Sequence, residues 1–245
     1  MAEIKITKTF SEGFEMAKNS YTHLIFPTIA MFLYAVFYFI YEFTLGRKDI
    51  SLWTASDYIT IITLGIAGSI LQLWIMIVSL NIVRNNENTK ITIGKMLWSI
   101  LYNYIYAFSY VLITMMILLL AIVLMSSLGI FGMLLIPLIT ITGYVIIVFL
   151  AIKFFFVPEL IADTGKNPFV LFGKSWNMTK GLFWKILGLS FSLAFFNLAG
   201  LLMLGLGLLI TLPVSFVVLM HFYNQVLKAK SSPTNLKTNT KTSSS

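Results

Sequence analysis

Long stretches without charged residues dominate the pattern of this chain. Asp, Glu, Lys and Arg are absent from four runs rich in Leu, Ile, Phe and Val, at residues 24–41, 58–83, 96–152 and 186–227. A helix needs about 20 mostly apolar residues to cross the hydrocarbon core of a bilayer. The first two runs are each about one such length, and the last two are each about two or three. The pattern therefore predicts an all-α, polytopic integral membrane protein with six transmembrane helices.

The same pattern places the helices and the turns between them. Residues 126–132 favour a turn inside the third run because they combine small polar residues with glycines. Inside the fourth run, Gly200, Gly205 and Gly207 are the candidates for a turn, although glycine also lets transmembrane helices approach closely. We predict one six-helix domain over residues 1–230, with helices near residues 24–45, 58–83, 104–125, 134–156, 183–204 and 206–227.

Two kinds of segment flank these helices. Residues 231–245 are rich in Ser, Thr, Asn and Lys and bury little apolar area, so we expect a disordered polar cytoplasmic tail. Three crossings are preceded by amphipathic stretches that mix lysine, serine and large apolar residues, at residues 10–20, 92–99 and 167–180. Their regular spacing predicts three repeats of an interfacial amphipathic helix followed by a transmembrane hairpin.

Composition and charge support a bilayer environment and orient the chain in it. Only 11 % of the residues are charged and 58 % are hydrophobic, which would leave large apolar patches on a protein dissolved in water. If the amino terminus is cytoplasmic, 15 of the 17 Lys and Arg residues fall on that side, and only Arg47 and Lys48 lie outside. The positive-inside rule therefore predicts a multi-pass protein with both termini in the cytoplasm.

The net charge of +8 could indicate a nucleic-acid partner, but the lysines lie at helix ends and in the tail. That placement is typical of the signals that orient membrane helices, so we expect no nucleic acid. The expected partners are the lipid bilayer itself, anionic lipids and other membrane proteins. The aromatic residues gather near helix ends, as at residues 102–108, and an interfacial belt explains them without a ligand.

Candidates for chemistry are few. No acidic residue falls near the centre of a predicted helix, where a proton-driven pump normally keeps one. Glu159 and Asp163 are four residues apart and share one helical face, so they could bind a cation, act as acid and base, or form a polar cap with nearby lysines. His23 and His221 have no metal-ligand spacing, and cysteine is absent. We therefore predict no catalytic residue, no metal site, no cofactor and no enzymatic activity.

Gln72, Thr140 and Asn197 are the uncharged polar candidates within the predicted helices. Such side chains usually join helices by hydrogen bonds, but they could also line a polar path. The leading hypothesis is a non-enzymatic protein that organises the membrane or binds lipids or partner proteins. A transporter or channel for a small or amphipathic solute is the alternative, and it requires a continuous polar cavity lined by these residues. A membrane-embedded enzyme is the third hypothesis, and it requires Glu159, Asp163 and a histidine to converge.

The second half of the chain resembles a known family. The resemblance is carried by residues 155–165 (FFVPELIADTG), 173–181 (GKSWNMTKG), 205–213 (GLGLLITLP) and Tyr223. These segments are similar to the prokaryotic six-helix membrane proteins that include the YciC-like proteins, and to the membrane domain of some glycerophosphodiester phosphodiesterases. The resemblance implies a six-helix fold in a prokaryotic cytoplasmic membrane. It transfers no catalytic residue, because the phosphodiesterase chemistry belongs to a separate soluble domain.

Overall fold

The computed structural model describes residues 4–46, 54–85, 89–128, 130–203 and 205–231, which form helices and no strand. Six helical stretches are long and apolar enough to cross a membrane, so the predicted all-α, multi-pass fold in contact with the bilayer is confirmed. In chain order the helices are α1 (Ile6–Asn19), α2 (Tyr21–Leu45), α3 (Ala55–Val83), α4 (Ile93–Leu128), α5 (Ile130–Lys153), α6 (Val157–Thr164), α7 (Pro168–Met178), α8 (Phe183–Leu202) and α9 (Leu208–Ser231).

Several boundaries differ from the predicted ones. Helix α4 begins at Ile93 rather than near residue 104, so the amphipathic stretch at 92–99 forms the first turns of a crossing helix. It is not a separate interfacial helix, because its backbone continues without a break into the apolar run. The first and third stretches largely coincide with separate short helices, α1 and α7. The predicted turn at 126–132 contains the junction of α4, which ends at Leu128, and α5, which begins at Ile130. Residues 232–245 of the predicted tail lie outside the described residues.

The alternating direction of the helices gives the bundle two different ends. The end that holds the first turn of α1, α6, α7 and the last turn of α9 also holds most of the lysines in the described part of the chain, and we call it the lysine-rich end. Buried residues concentrate towards this end, in the last half of α3, in α6 and along α9. Helices α3 and α9 are central, since α3 packs against α2, α4, α6 and α9, while α9 also packs against α1, α2 and α8. The apolar faces towards the opposite end are largely exposed and are left to the bilayer.

Glycines allow two close helix approaches. A Cβ placed on Gly13 of α1 would lie 2.8 Å from the Cα of Val218, so α1 rests directly on the backbone of α9. Helices α8 and α9 meet where Gly207 faces the backbone of Gly200, and Gly205 between them has a φ of +78°, a conformation that other residues adopt rarely. Glycine therefore serves both roles considered for the fourth run, the turn and the close packing.

Tyrosine hydroxyl groups join neighbouring helices through backbone carbonyls. Each of these hydroxyls reaches a carbonyl 2.8–3.2 Å away on another helix, namely Tyr21 to Leu209, Tyr34 to Leu64, Tyr41 to Asp57 and Tyr104 to Ile62. A hydroxyl group in hydrocarbon is unfavourable without a partner, so these bonds let the phenol groups lie between apolar helices.

Candidate functional site

Asp163 is the centre of an ionic cluster at the lysine-rich end. Arg84, which directly follows α3, donates from Nη1 to one carboxylate oxygen at 2.7 Å and from Nη2 to the other at 3.0 Å. The Tyr223 hydroxyl of α9 donates to the same carboxylate at 2.7 Å. The Arg84 and Asp163 side chains are only 16 % and 15 % exposed. Both carboxylate oxygens of Asp163 are therefore engaged, and the cluster ties α3, α6 and α9 together.

Glu159 lies one turn before Asp163 on α6, but its environment is different. It is 2 % exposed, and its Oε2 atom has no hydrogen-bond partner among the described residues. Glu159 occupies the first turn of α6, where the positive end of the helix dipole favours a negative charge. The two carboxylates of the predicted pair thus do not act as a unit, since one is held by Arg84 and the other is buried without such a partner.

The histidines lie apart from this pair. His221 contacts Glu12 of α1, with Nε2 3.0 Å from the Glu12 carboxylate, and the amide nitrogen of Gln225 is 2.8 Å from the same ring atom. The hydrogen bond with His221 lowers the pKa of Glu12 below its ordinary value, against the opposing effect of desolvation. His23 is exposed on α2. In the part of the chain that the structure describes, no hydrogen bond joins a histidine to Glu159 or Asp163, and no cluster fit to hold a metal ion occurs.

The uncharged polar candidates act mainly as joints between helices. The amide oxygen of Gln72 on α3 accepts a bond from Asn103 of α4 at 3.2 Å, and Asn103 also donates to Ser69 at 3.0 Å. The amide oxygen of Asn197 on α8 accepts a bond from Ser215 of α9 at 3.2 Å. Thr140 is half-buried on α5. These candidates stand on α3, α8 and α5, and none of them lines the cleft described next.

A cleft of about 340 Å³ opens between α4, α5 and α7. Pockets of this size and larger are typical of small-molecule sites. Its lining is apolar and aromatic, and the described part of it includes no charged side chain. The lining residues are Tyr102, Ile105, Tyr106, Ser109, Tyr110 and Ile113 of α4, Ile147, Leu150 and Ala151 of α5, the following Phe154, and Phe172 of α7.

Aromatic rings close the cleft at the lysine-rich end. The ring centroids of Phe154 and Phe172 are 5.0 Å apart, and that of Tyr102 lies 6.3 Å from that of Phe172. Trp176 packs against Phe154, and the ammonium group of Lys153 lies 4.9 Å from the Trp176 ring centroid. Towards the opposite end, Tyr106 and Tyr110 are about half exposed, and the neighbouring surface is apolar. The cleft is therefore closed towards the lysine-rich end and open towards the hydrocarbon.

Three tyrosines at successive turns of α4 line the cleft, and their hydroxyl groups differ from those that join helices. Tyr102, Tyr106 and Tyr110 span about 12 Å along the helix axis, at 1.5 Å per residue. None of the three hydroxyls forms a hydrogen bond with a described residue, whereas the Ser109 hydroxyl donates to the Ile105 carbonyl at 2.7 Å. Three tyrosines whose hydroxyls are not engaged by the described residues thus stand in an otherwise apolar wall.

From the sequence alone, an interfacial belt explains the aromatic residues at 102–108, which include Tyr102 and Tyr106, and none of the three tyrosines is predicted to form a site. Their spacing of four residues was a usable signal, since it places the three rings on one face of a helix. The opposite wall of the cleft is formed by residues about 40–70 positions later in the chain, so no local sequence pattern predicts that the two walls meet. Comparison with protein-family models, with curated proteins and with solved structures found no match, so the resemblance to the YciC-like proteins stays a prediction.

Proposed function

We propose that this protein binds membrane lipid and that an acyl chain from the surrounding bilayer occupies the cleft between α4, α5 and α7. The observation that carries the proposal is the apolar lining of a cleft that opens towards the hydrocarbon. A molecule dissolved in the bilayer reaches this opening directly from the hydrocarbon. An apolar chain can then enter the cleft without passing through water. The role is one of binding and organising lipid, in agreement with the leading hypothesis from the sequence.

The transport alternative has less support. It requires a continuous polar path, but Gln72 and Asn197 bond to neighbouring helices instead. An ion or polar solute in the cleft would face aromatic and aliphatic side chains and would lose its hydration without replacement. We therefore do not propose transport as the function of this cleft.

Photo-crosslinking tests the proposal. The full-length protein is reconstituted in phospholipid vesicles that contain a trace of a lipid with a diazirine in one acyl chain, and the labelled peptides are mapped by mass spectrometry. We expect the adducts to concentrate on the cleft-facing residues of α4 and α5. Ala151→Phe places a ring inside the cleft and should lower this labelling severalfold. Ala107→Phe is the matched control, since Ala107 is exposed on α4 outside the cleft.

Two outcomes contradict the proposal. Labelling spread evenly over the exposed apolar faces of all the helices would mean that the cleft holds lipid no better than the rest of the surface. Equal labelling in wild type and Ala151→Phe would mean that the adducts arise outside the cleft. In either case the function would have to be sought elsewhere, for example at a partner-binding surface.

We further propose that the lysine-rich end faces the cytoplasm of a prokaryotic cell. The support is the predicted distribution of Lys and Arg, read with the positive-inside rule. The chain contains no cysteine, so single cysteines can be labelled selectively. Gly46→Cys, at the opposite end, should react with an impermeant maleimide added to intact cells, and Lys166→Cys should react only after lysis. The reverse result would overturn the orientation.

A further inference from the structure

The tyrosine hydroxyls of the cleft point to the chemistry of its ligand. On the basis of the proposed function, we propose that the bound lipid is uncharged and carries carbonyl oxygens, which accept hydrogen bonds from Tyr106 and Tyr110. Acyl esters of a diacylglycerol and the ring carbonyls of a prenylated quinone share this chemistry.

The argument begins with the hydrogen bonds that other tyrosines form. Four tyrosines between the helices donate to backbone carbonyls, at Tyr21, Tyr34, Tyr41 and Tyr104, and Tyr223 donates to Asp163. The hydroxyls of Tyr106 and Tyr110 make no such bond with the described residues, although Ser109 between them is satisfied by its own helix. Because an unpaired hydroxyl is unfavourable in hydrocarbon, a ligand that brings an acceptor gains affinity there.

The charge of the ligand follows from the lining. An anionic headgroup inside the cleft would need a cation, and no lysine or arginine is among the described lining residues. The nearest cation by chain position, Lys153, lies over the rings of Phe149 and Trp176. The rings of Phe154 and Phe172 separate the cleft from the lysine-rich end, so a phosphate would meet an aromatic wall. An uncharged lipid avoids this desolvation.

The positions of Tyr106 and Tyr110 fit a bound lipid whose carbonyl groups lie at the end of its acyl chains that is deeper in the cleft. Tyr106 lies about 6 Å and Tyr110 about 12 Å beyond Tyr102 along α4. Tyr102 is 9 % exposed and packs against Phe172, so it forms the closed end of the cleft. A lipid whose chains extend from the cleft into the hydrocarbon therefore places its carbonyl end beside Tyr110 and Tyr106, and the closed end of the cleft lies beyond it.

A matched pair of probes tests this inference. A diazirine-bearing diacylglycerol is compared with its dialkyl ether analogue, which has the same chains but lacks the carbonyl oxygens. We expect wild type to prefer the ester by about tenfold, the effect of two modest hydrogen bonds. Tyr106→Phe/Tyr110→Phe should reduce ester binding to the ether level and leave the ether unchanged. Tyr144→Phe, which removes an exposed hydroxyl of α5 outside the cleft, should leave both unchanged.

Competition identifies the source of the carbonyl and separates the possible failures. Unlabelled diacylglycerol and a short-tailed prenylquinone are added in turn, and the stronger competitor marks the natural class, while phosphatidylglycerol should compete poorly. Equal binding of ester and ether in wild type, an ester preference that survives in the double variant, or strong competition by phosphatidylglycerol would overturn the inference while lipid binding stands. Absence of cleft labelling by both probes would instead refute the proposed function. Circular dichroism and gel filtration of the Phe variants, which retain the rings, check the fold.

Discussion

The carboxylate of Asp163 accepts hydrogen bonds from both terminal nitrogens of Arg84, a residue that lies 79 positions earlier in the chain. A bidentate pair of hydrogen bonds fixes the relative orientation of the guanidinium and carboxylate groups as well as the distance between them. It fastens the C-terminal end of α3 to α6, and the Tyr223 hydroxyl extends the fastening to α9. The packing at the lysine-rich end therefore depends on one carboxylate.

Asp163→Asn should destabilise the protein by about 1.5–3 kcal/mol, because a neutral amide replaces the carboxylate that accepts both charge-assisted bonds from Arg84 at a mostly buried site. Unfolding by SDS in mixed micelles, followed by circular dichroism, measures the change. Tyr223→Phe removes one hydrogen bond to the same carboxylate and should cost about 1–2 kcal/mol. Additive effects in the Asp163→Asn/Tyr223→Phe double variant would show that the two bonds do not share a network.

Gly13→Ala should weaken the attachment of α1. The added methyl group would lie 2.8 Å from the Cα of Val218, and backbone atoms of α9 cannot turn aside as a flexible side chain can. We expect a loss of about 1–3 kcal/mol and faster proteolysis of the N-terminal segment. Gly94→Ala is the control, since a Cβ at Gly94 meets nothing within 4 Å, and it should be neutral or slightly stabilising. Equal effects of the two substitutions would contradict the close contact.

Glu159→Gln should raise the stability by about 1 kcal/mol or more at neutral pH. It keeps the size of the side chain and removes a carboxyl group that must either stay ionised or take up a proton at a buried site, with one oxygen unpartnered among the described residues. Glu15→Gln, at an exposed position of α1, controls for the general effect of removing one negative charge. If Glu159→Gln instead lowers the stability in the same SDS titration, the interaction of the carboxylate with the N-terminus of α6 outweighs its desolvation.

The contact between α1 and α9 should weaken in acid. The pKa of Glu12 is lowered by its bond with His221, so the contact stabilises the folded protein above the ordinary Glu value of 4.5 and loses this contribution as the pH falls through the lowered pKa. The groups around it are Lys8, 3.6 Å away on α1, and Gln225 of α9. The protection factors of the α1 amides in hydrogen exchange, which are corrected for the intrinsic pH dependence of exchange, should fall below pH 4.5 in wild type. Glu12→Gln should show lower protection above that pH and a smaller fall below it, whereas an identical pH profile would contradict the role of Glu12.

Some features of this protein could be predicted from local sequence, whereas others depend on contacts between distant parts of the chain. The apolar runs located the crossings, but they did not show that α4 begins at Ile93, since an amphipathic stretch is compatible with an interfacial helix and with the first turns of a longer helix. Glu159 and Asp163 were recognised as a helical pair. Among the described residues, only Asp163 of this pair is paired with a cation, because Arg84 reaches it and not Glu159. Arg84 is far away in sequence, and its position depends on how α3 ends beside α6.

The cleft shows the same limit. Tyr102, Tyr106 and Tyr110 share a helical face, and this is visible from their spacing alone. Whether that face meets lipid, another helix or a cavity depends on the packing of α4 against α5 and α7. The sequence does not show which tyrosine hydroxyls form hydrogen bonds. The structure distinguishes the three hydroxyls of the cleft from those that bond to carbonyls of other helices, such as the hydroxyls of Tyr34 and Tyr104.

The sequence by itself determined the number of crossings and the all-helical class, because the exclusion of charge from hydrocarbon and the length of a spanning helix are local requirements that a single run must meet. The tertiary structure decided which polar groups are engaged and which remain available. Those outcomes depend on contacts between different helices, some of them far apart in the chain, such as Tyr223 with Asp163, which are 60 residues apart, and on the close approach at Gly13. A bilayer drives all such apolar helices to insert, but it does not select their neighbours, so side-chain shape and hydrogen bonds make that choice.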